Sequence, residues 1–178
     1  MSPGSAAALL ALAAETVAAR ARGRPLPDLP EVGPDAAPRG VFVSLYRAGA
    51  LRGCIGHLEA DQALPELVRD MAVAASREDP RFPPLAPDEL YDLEVELSVL
   101  TLPEPVRPEQ IVAGRDGVVV RRGAQQGILL PQVAEAHGWD AGTLLSAACA
   151  KAGFAAGAWR DPGTTVLAFR AQVIRREP

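Results

Sequence analysis

Apolar residues recur every three or four positions in four stretches of the chain, and this is the spacing of one face of a helix. The first stretch covers residues 5–22, and the second begins at Leu64 and ends near Ser76. A third helix is predicted to begin with Pro131, because proline is well tolerated in the first helical turn. A fourth is predicted after Asp140, whose carboxylate can accept hydrogen bonds from the free N–H groups of a helix start.

Alternation of apolar and polar residues, or a run of β-branched and aromatic ones, indicates strands elsewhere. Residues 40–47 form such a run, and a turn at residues 48–50 leads into a second strand that carries residues 51–56. Residues 91–100 alternate most regularly, so their apolar side chains are expected to be buried and their polar ones to lie on a wetter face. The apolar set is Leu93, Val95, Leu97 and Val99, and the polar set is Glu94, Glu96 and Ser98.

The order of the elements predicts the fold class. Further strands are predicted at residues 118–120, 127–130 and 164–174. Helices and strands follow one another in mixed order, with hairpins rather than regular βαβ units, which favours an α+β fold with a largely antiparallel sheet flanked by helices. We expect a single domain over residues 5–175, in two lobes, with a smaller lobe inserted at about residues 50–90. Residues 24–38 contain five prolines and predict an extended connector.

Composition narrows the classes of function. Of the 178 residues, 48% are hydrophobic and 22% are charged, which is the balance of a folded globular chain. A net charge of −4 disfavours nonspecific nucleic-acid binding, which needs a basic surface. No stretch reaches the ~18 apolar residues of a membrane span. We interpret the alanine- and leucine-rich run at residues 6–14 as part of the first helix rather than a signal peptide, because no basic residue precedes it. Without a secretion signal, Cys54 and Cys149 are expected to be free thiols in the cytoplasm.

The most reactive side chains cluster in one hexapeptide, Leu51-Arg52-Gly53-Cys54-Ile55-Gly56. Cys54 is the candidate catalytic nucleophile, because a neighbouring cation such as Arg52 stabilises a thiolate. The alternative is a buried thiol that packs as a small apolar side chain. The glycines indicate either a bulge or a close approach of the backbone to another group.

A second loop, at residues 76–85, contributes further candidates. Arg52 and Arg81 can each hold a carboxylate or phosphate with two parallel hydrogen bonds, or form ion pairs with Asp79, Glu94 or Glu96. Asp79 can orient Arg81 or bend the chain before the following proline. Lys151 can bind an anion or only complement the end of its helix. The predicted substrate- or anion-binding residues, expected to converge with Cys54 on one surface depression, are Arg52, Gly53, Asp79, Arg81 and Lys151.

The sequence predicts neither a metal site nor a cofactor. The two histidines, His57 and His137, lie 80 positions apart in sequence (137 − 57), and the chain has no Cys-x-x-Cys pair. No glycine-rich phosphate-binding pattern is present. Glu94 and Glu96 share one face of a strand, where they are either paired carboxylates for acid–base chemistry or part of a solvated sheet face.

Several motifs together resemble one known family. In chain order they are the hexapeptide at 51–56, Asp79-Pro80-Arg81-Phe82-Pro83-Pro84-Leu85, residues 93–100, residues 127–134, Gly138-Trp139-Asp140 and Cys149-Ala150-Lys151-Ala152-Gly153. This series is similar to the AMME chromosomal region candidate family, whose microbial members are called protein A of the AmmeMemoRadiSam system. The resemblance implies a two-lobed α+β fold, and it implies a Memo-like protein and a radical S-adenosylmethionine (SAM) enzyme as partners.

Two hypotheses for function follow. In the first, the chain is a binding or accessory component that works with the Memo-like and radical SAM proteins through a cleft where the motifs meet. In the second, it is an enzyme that uses Cys54 as a nucleophile on an anionic substrate. The reactivity of the Cys54 thiol separates the two, since a structural thiol is inert.

Overall fold

The computed structural model describes residues 1–37 and 39–176, so Pro38 of the predicted connector lies outside the described residues. The chain divides into two compact units, Met1–Leu100 with Gln172–Pro178, and Thr101–Ala171. The described residues form four α-helices and two antiparallel four-stranded sheets, which confirms the predicted α+β class. The predicted smaller lobe at residues 50–90 stays a prediction; its residues all belong to the first unit.

The elements follow in chain order. They are α1 (Pro3–Ala21), β1 (Val41–Arg47), β2 (Ala50–His57), α2 (Leu64–Arg77), β3 (Leu93–Leu100), β4 (Glu104–Pro105), β5 (Gly117–Arg122), β6 (Gln125–Leu129), α3 (Pro131–His137), α4 (Ala141–Lys151), β7 (Thr165–Phe169) and β8 (Ala171–Arg175). A 3-10 helix at Pro87–Tyr91 precedes β3.

The first sheet has the strand order β2-β1-β3-β8, with helices α1 and α2 packed on one of its faces. The core between the helices and the sheet is aliphatic, which fits a chain with only 4% aromatic residues. It includes Leu9, Leu12, Val17, Leu67, Val68, Val41, Val43, Leu45, Leu97 and Val99. By length and composition α1 is apolar enough to cross a membrane, but one of its faces, which includes Leu9, Leu12, Ala13 and Val17, is buried in this core.

The hairpin of β1 and β2 contains the bulge that the glycines predicted. Ala48 and Gly49 both have positive φ, 48° and 76°, and form its tight turn. Leu45 lies opposite Gly53 and Tyr46 lies opposite Leu51, so Arg52 is an extra residue in β2. This one-residue shift decides which face of the sheet each later side chain of β2 occupies.

Gly53 also makes the predicted close approach. A Cβ at this position would lie 2.3 Å from the carbonyl oxygen of Ala75 in α2. Glycine therefore lets α2 pack directly on the backbone of β2. Gly53 is buried under the helix, and this contact explains why a glycine is needed there; its predicted part in anion binding stays a prediction.

Strand β3 confirms part of the predicted alternation. Leu97 and Val99 are buried, and Glu94 is exposed. The prediction was wrong for Ser98, which is buried, and for Glu96, whose side chain is only 14% exposed. The reason is that β3 is an inner strand, so side chains of both neighbouring strands, Ser44 of β1 and Arg175 of β8, lie beside Glu96 and reduce its exposure.

The second sheet has the order β4-β7-β5-β6, and α3 and α4 pack in its unit. The predicted single strand at residues 164–174 was wrong, because β7 belongs to this sheet and β8 to the first. The change occurs at Arg170, whose backbone N–H donates to Thr101 Oγ1 and whose carbonyl accepts from the Thr101 N–H. Apolar residues are frequent on both sides of Arg170, although the strand's partners change there.

Candidate functional site

Cys54 lies on β2, an edge strand of the first sheet. On the outer side of this strand, the loop after α2 forms hydrogen bonds with the Cys54 backbone. The Cys54 N–H donates to Asp79 Oδ2 at 2.8 Å, and Arg81 Nη2 donates to the Cys54 carbonyl at 3.3 Å. An edge strand normally leaves such groups unpaired. Here one carboxylate and one guanidinium take the place of a neighbouring strand and fix the backbone that carries the thiol.

Asp79 and Arg81 also bind each other with two parallel hydrogen bonds. Arg81 Nε donates to Asp79 Oδ1 at 2.9 Å and Arg81 Nη2 donates to Oδ2 at 2.7 Å. The Asp79 side chain is 2% exposed. Hydrogen bonds from Arg81 hold the pKa of Asp79 well below its usual range, although burial acts in the opposite direction. Of the two predicted roles of Asp79, orienting Arg81 is directly visible.

Arg52 has a similar carboxylate partner. Its Nε and Nη2 donate to the two oxygens of Glu89 at 2.7 and 2.8 Å. Glu89 also accepts from Arg47 and from the backbone N–H of Ala86. Sequence reasoning missed Glu89, because it lies 37 positions from Arg52 on a short 3-10 helix with no motif of its own.

The ring of Phe82 lies near both arginines and links the two ion pairs. The guanidinium carbons of Arg52 and Arg81 are 5.9 and 5.4 Å from its centroid, within range of a cation–π contact. Arg52, Cys54, Asp79 and Arg81 therefore lie in one neighbourhood of the first unit. That either arginine binds an anion stays a prediction, and each already has a carboxylate partner.

A line of three polar side chains runs across three neighbouring strands of the first sheet. We call it the polar row, and it consists of Cys54, Ser44 and Glu96. Ser44 of β1 is directly opposite Cys54 of β2 and directly opposite Glu96 of β3. The Ser44 hydroxyl donates to Cys54 Sγ at 3.3 Å. Ser44 is buried and Cys54 is partly exposed. Neither Ser44 nor its place beside Cys54 was predicted from the sequence.

The end of the polar row at Glu96 is poorly hydrated. Burial raises the pKa of Glu96, and Arg175 of β8, 3.9 Å away, acts weakly against this. Tyr46, the next residue of β1 on this face, also has a raised pKa, first because of burial and then because of the charge of Glu96. A thiol, a hydroxyl and a carboxyl group with raised proton affinity thus share one sheet face.

Lys151 lies in the second unit, at the end of α4, where its ammonium group donates to the Ile128 carbonyl at 3.0 Å. This position is that of a cation complementing a helix end. Its predicted convergence with Cys54 stays a prediction. Cys149, two residues earlier in α4, is fully buried in the core of its unit.

His57, Glu59 and Asp61 place ligand atoms within 4.8 Å of one another at the end of β2. His57 Nε2 and Asp61 Oδ2 are 3.1 Å apart, and both side chains are solvent-accessible. A solvent-accessible pair such as His57 and Asp61, with a further acidic residue between them, is common on protein surfaces. The predicted absence of a metal site stays a prediction.

The ion pair of Glu89 predicts a dependence of stability on pH. The hydrogen bonds from Arg52 lower the pKa of Glu89 from its ordinary 4.5 to about 2. A lowered folded-state pKa stabilises the fold fully above the unfolded-state value and progressively less as the pH falls through the folded-state value. The free energy of unfolding is therefore expected to fall between about pH 5 and pH 2, and Glu89→Gln is expected to flatten that fall. Urea unfolding at several pH values measures it, with the exposed Glu15→Gln as the control; parallel curves for Glu89→Gln and wild type would contradict the assignment.

Comparison with known proteins gives the family. The AMMECR1 family model matches residues 10–174. A protein of Methanothermobacter thermautotrophicus is 46% identical over 146 residues, which cover 78% of this chain and 76% of that protein. Protein Mbar_A1807 of Methanosarcina barkeri is 39% identical over 183 residues, covering 96% and 90%. The crystal structure of uncharacterized protein PH0010 from Pyrococcus horikoshii superposes with a TM-score of 0.87 at 36% identity, covering 93% and 88%. These matches span most of both units and confirm the resemblance seen in the motifs: the chain belongs to the AMMECR1 family.

Proposed function

We propose that this protein is a binding component of a larger assembly, and that it recognises its partner through the face of the first sheet that carries the polar row. The observation that carries the proposal is the pairing of both candidate arginines inside the chain. Asp79 binds Arg81, and Glu89 binds Arg52, so these charges fix the strand and loop instead of standing open for a substrate.

Such a surface is suited to recognition because it is held rigid before any partner arrives. The Cys54 backbone is hydrogen-bonded to Asp79 and Arg81 on its outer side, and its side chain accepts a hydrogen bond from Ser44. A preorganised surface loses little conformational freedom when it binds, which favours affinity. Glu94 is exposed beside Tyr46 on the same face and offers a charged edge to a partner.

The proposed partners are a Memo-like protein and a radical SAM enzyme, and they rest on the family resemblance of the motifs. We propose that the complex acts in the cytoplasm. Both cysteines of the chain are unpaired thiols, which fits a reducing compartment.

The experiment measures the dissociation constant for the Memo-like protein of the same genome by calorimetry, using the wild type and two charge reversals. Glu94→Arg changes the proposed surface, and Glu15→Arg makes the same change at an exposed position of α1. Reversing a charge at an interface opposes like charges, so Glu94→Arg is expected to weaken binding by at least about tenfold. Glu15→Arg is expected to bind as the wild type does. Equal binding by all three proteins, or no complex with either proposed partner, would contradict the proposal.

A further inference from the structure

We propose that Cys54 is a nucleophile toward uncharged carbon electrophiles, and that Ser44 and Glu96 remove its proton. This inference goes beyond the proposed binding function: it keeps the nucleophilic thiol of the second hypothesis beside that function and replaces its anionic substrate by an uncharged one. It assigns a chemical activity to the polar row and a proton path to Ser44 and Glu96.

The geometry of three neighbouring strands supports the proton path. Ser44 lies between Cys54 and Glu96 in the register, opposite each of them. Side chains directly opposite on neighbouring antiparallel strands have Cβ atoms about 4.5–5.5 Å apart, within reach of a hydroxyl and a carboxyl group. The Ser44–Cys54 contact of 3.3 Å is already formed.

A serine hydroxyl can pass on a proton because it has one donor and two acceptor positions and rotates between partners. In the structure Ser44 donates to Cys54 Sγ. When the hydroxyl turns toward Glu96, its lone pair faces the thiol. The sulfur then bonds to the electrophilic carbon, and the leaving group departs with its bonding electrons. The thiol proton moves to Ser44 Oγ as the Ser44 proton moves to a Glu96 oxygen.

The charges around the thiol select the class of electrophile. Arg52 and Arg81 already bind Glu89 and Asp79. Glu96 brings a negative charge to the other end of the row, with Arg175 3.9 Å away and 74% exposed. Because each of these three arginines has a carboxylate partner, we expect Glu96 to repel an anionic reagent, whereas an uncharged reagent is not repelled.

Among the described residues of the first unit, the titratable groups near Glu96 come from four strands. They are Tyr46 on β1, Cys54 on β2, Arg175 on β8 and Glu94 on β3 itself. The burial that raises the pKa of Glu96 makes its carboxylate a better proton acceptor once it is ionised. Tyr46, whose pKa is also raised, stays neutral through the range in which Glu96 ionises.

The test is the rate of Cys54 alkylation by iodoacetamide between pH 5 and pH 9, followed by mass spectrometry of the labelled peptide. Base assistance contributes large factors, so Glu96→Gln and Ser44→Ala are expected to slow the reaction at pH 7 by at least about tenfold. Ser44→Thr keeps a hydroxyl and is expected to restore most of the rate. Glu15→Gln removes an exposed charge elsewhere and is expected to react as the wild type does.

Two readouts separate proton transfer from a loss of structure. The wild-type rate is expected to rise as the Glu96 carboxyl ionises, and Glu96→Gln is expected to lose that rise. Cys149 is fully buried and reports unfolding, because it is labelled only when the fold opens. A Glu96→Gln protein that reacts as fast as the wild type, or faster because a repelling charge is gone, would overturn the proton path.

The charge preference is tested with iodoacetate, which differs from iodoacetamide by one negative charge. Rates for Cys54 are divided by those of the same chain unfolded in urea, which removes the intrinsic difference between the two reagents. We expect the folded chain to disfavour iodoacetate by several-fold. Equal or faster reaction with iodoacetate would overturn the assignment to uncharged electrophiles and restore an anion-binding role for Arg52 or Arg81.

Discussion

Asp79→Ala is expected to lower the free energy of unfolding by about 2–4 kcal/mol. Hydrogen bonds to charged groups contribute about 1.5–3 kcal/mol each to stability, but their losses are not additive. The buried Asp79 carboxylate accepts from the Cys54 N–H, the Arg81 N–H and the Arg81 guanidinium. Without it, the outer edge of β2 loses its partner at Cys54, while the half-exposed Arg81 turns to water. Urea unfolding followed by circular dichroism measures the change.

Two further variants define the cause. Asp79→Asn keeps the shape of the side chain and one accepting oxygen, so its loss of stability is expected to be smaller than that of Asp79→Ala. Asp61→Ala removes a carboxylate from the exposed ion pair with His57, and exposed pairs contribute about 0–1 kcal/mol. If Asp79→Ala costs no more than Asp61→Ala, the loop does not support β2 in the way described.

Leu97→Ala is expected to lower the free energy of unfolding by about 2–5 kcal/mol, the range for emptying a buried leucine site. Leu97 is 0% exposed, at the centre of the face of β3 that packs under α1 and α2. Val43 of β1 lies directly opposite Leu97, and Val41 and Leu45 lie diagonally beside it on the same face. The hydrogen bonds between the strands hold these three residues in place, so they are expected to fill the cavity only in part.

The matched control is Leu29→Ala, which makes the same truncation at a side chain that is 37% exposed in the connector. Its effect is expected to stay below about 1 kcal/mol, as for surface substitutions. A cost for Leu97→Ala as small as that of Leu29→Ala would show that the core of the first unit does not depend on the alternation of β3.

The hairpin and the helices were predictable because local chemistry determines them. Ala48 and Gly49 make the turn, Asp140 accepts from the Thr143 N–H at the start of α4, and Pro131 begins α3. Each signal acts within a few residues of the structure it specifies. The wrong strand at residues 164–174 marks the limit, since nothing local to Arg170 says that the two halves of the run join different sheets.

The site was less predictable because it depends on register. Counting back from the turn without a bulge pairs Cys54 with Val43, whose side chain is in the helix-covered core. The extra residue at Arg52 instead pairs Cys54 with Ser44 and turns the thiol to the polar face. The sequence shows that Gly53 permits a bulge but does not say whether one forms. Glu89 and Glu96 were missed or misplaced for a related reason: their partners lie on other strands and loops.

If the face that carries the polar row meets the partner, the partner covers the Cys54 thiol. The measurement is the iodoacetamide labelling rate of Cys54 in the free protein and in the complex with the Memo-like protein, at partner concentrations that saturate binding. We expect the complex to be labelled at least about tenfold more slowly, as burial of a reactive cysteine slows its modification. An unchanged labelling rate in a saturated complex would place the partner elsewhere on the chain and contradict the proposed binding surface.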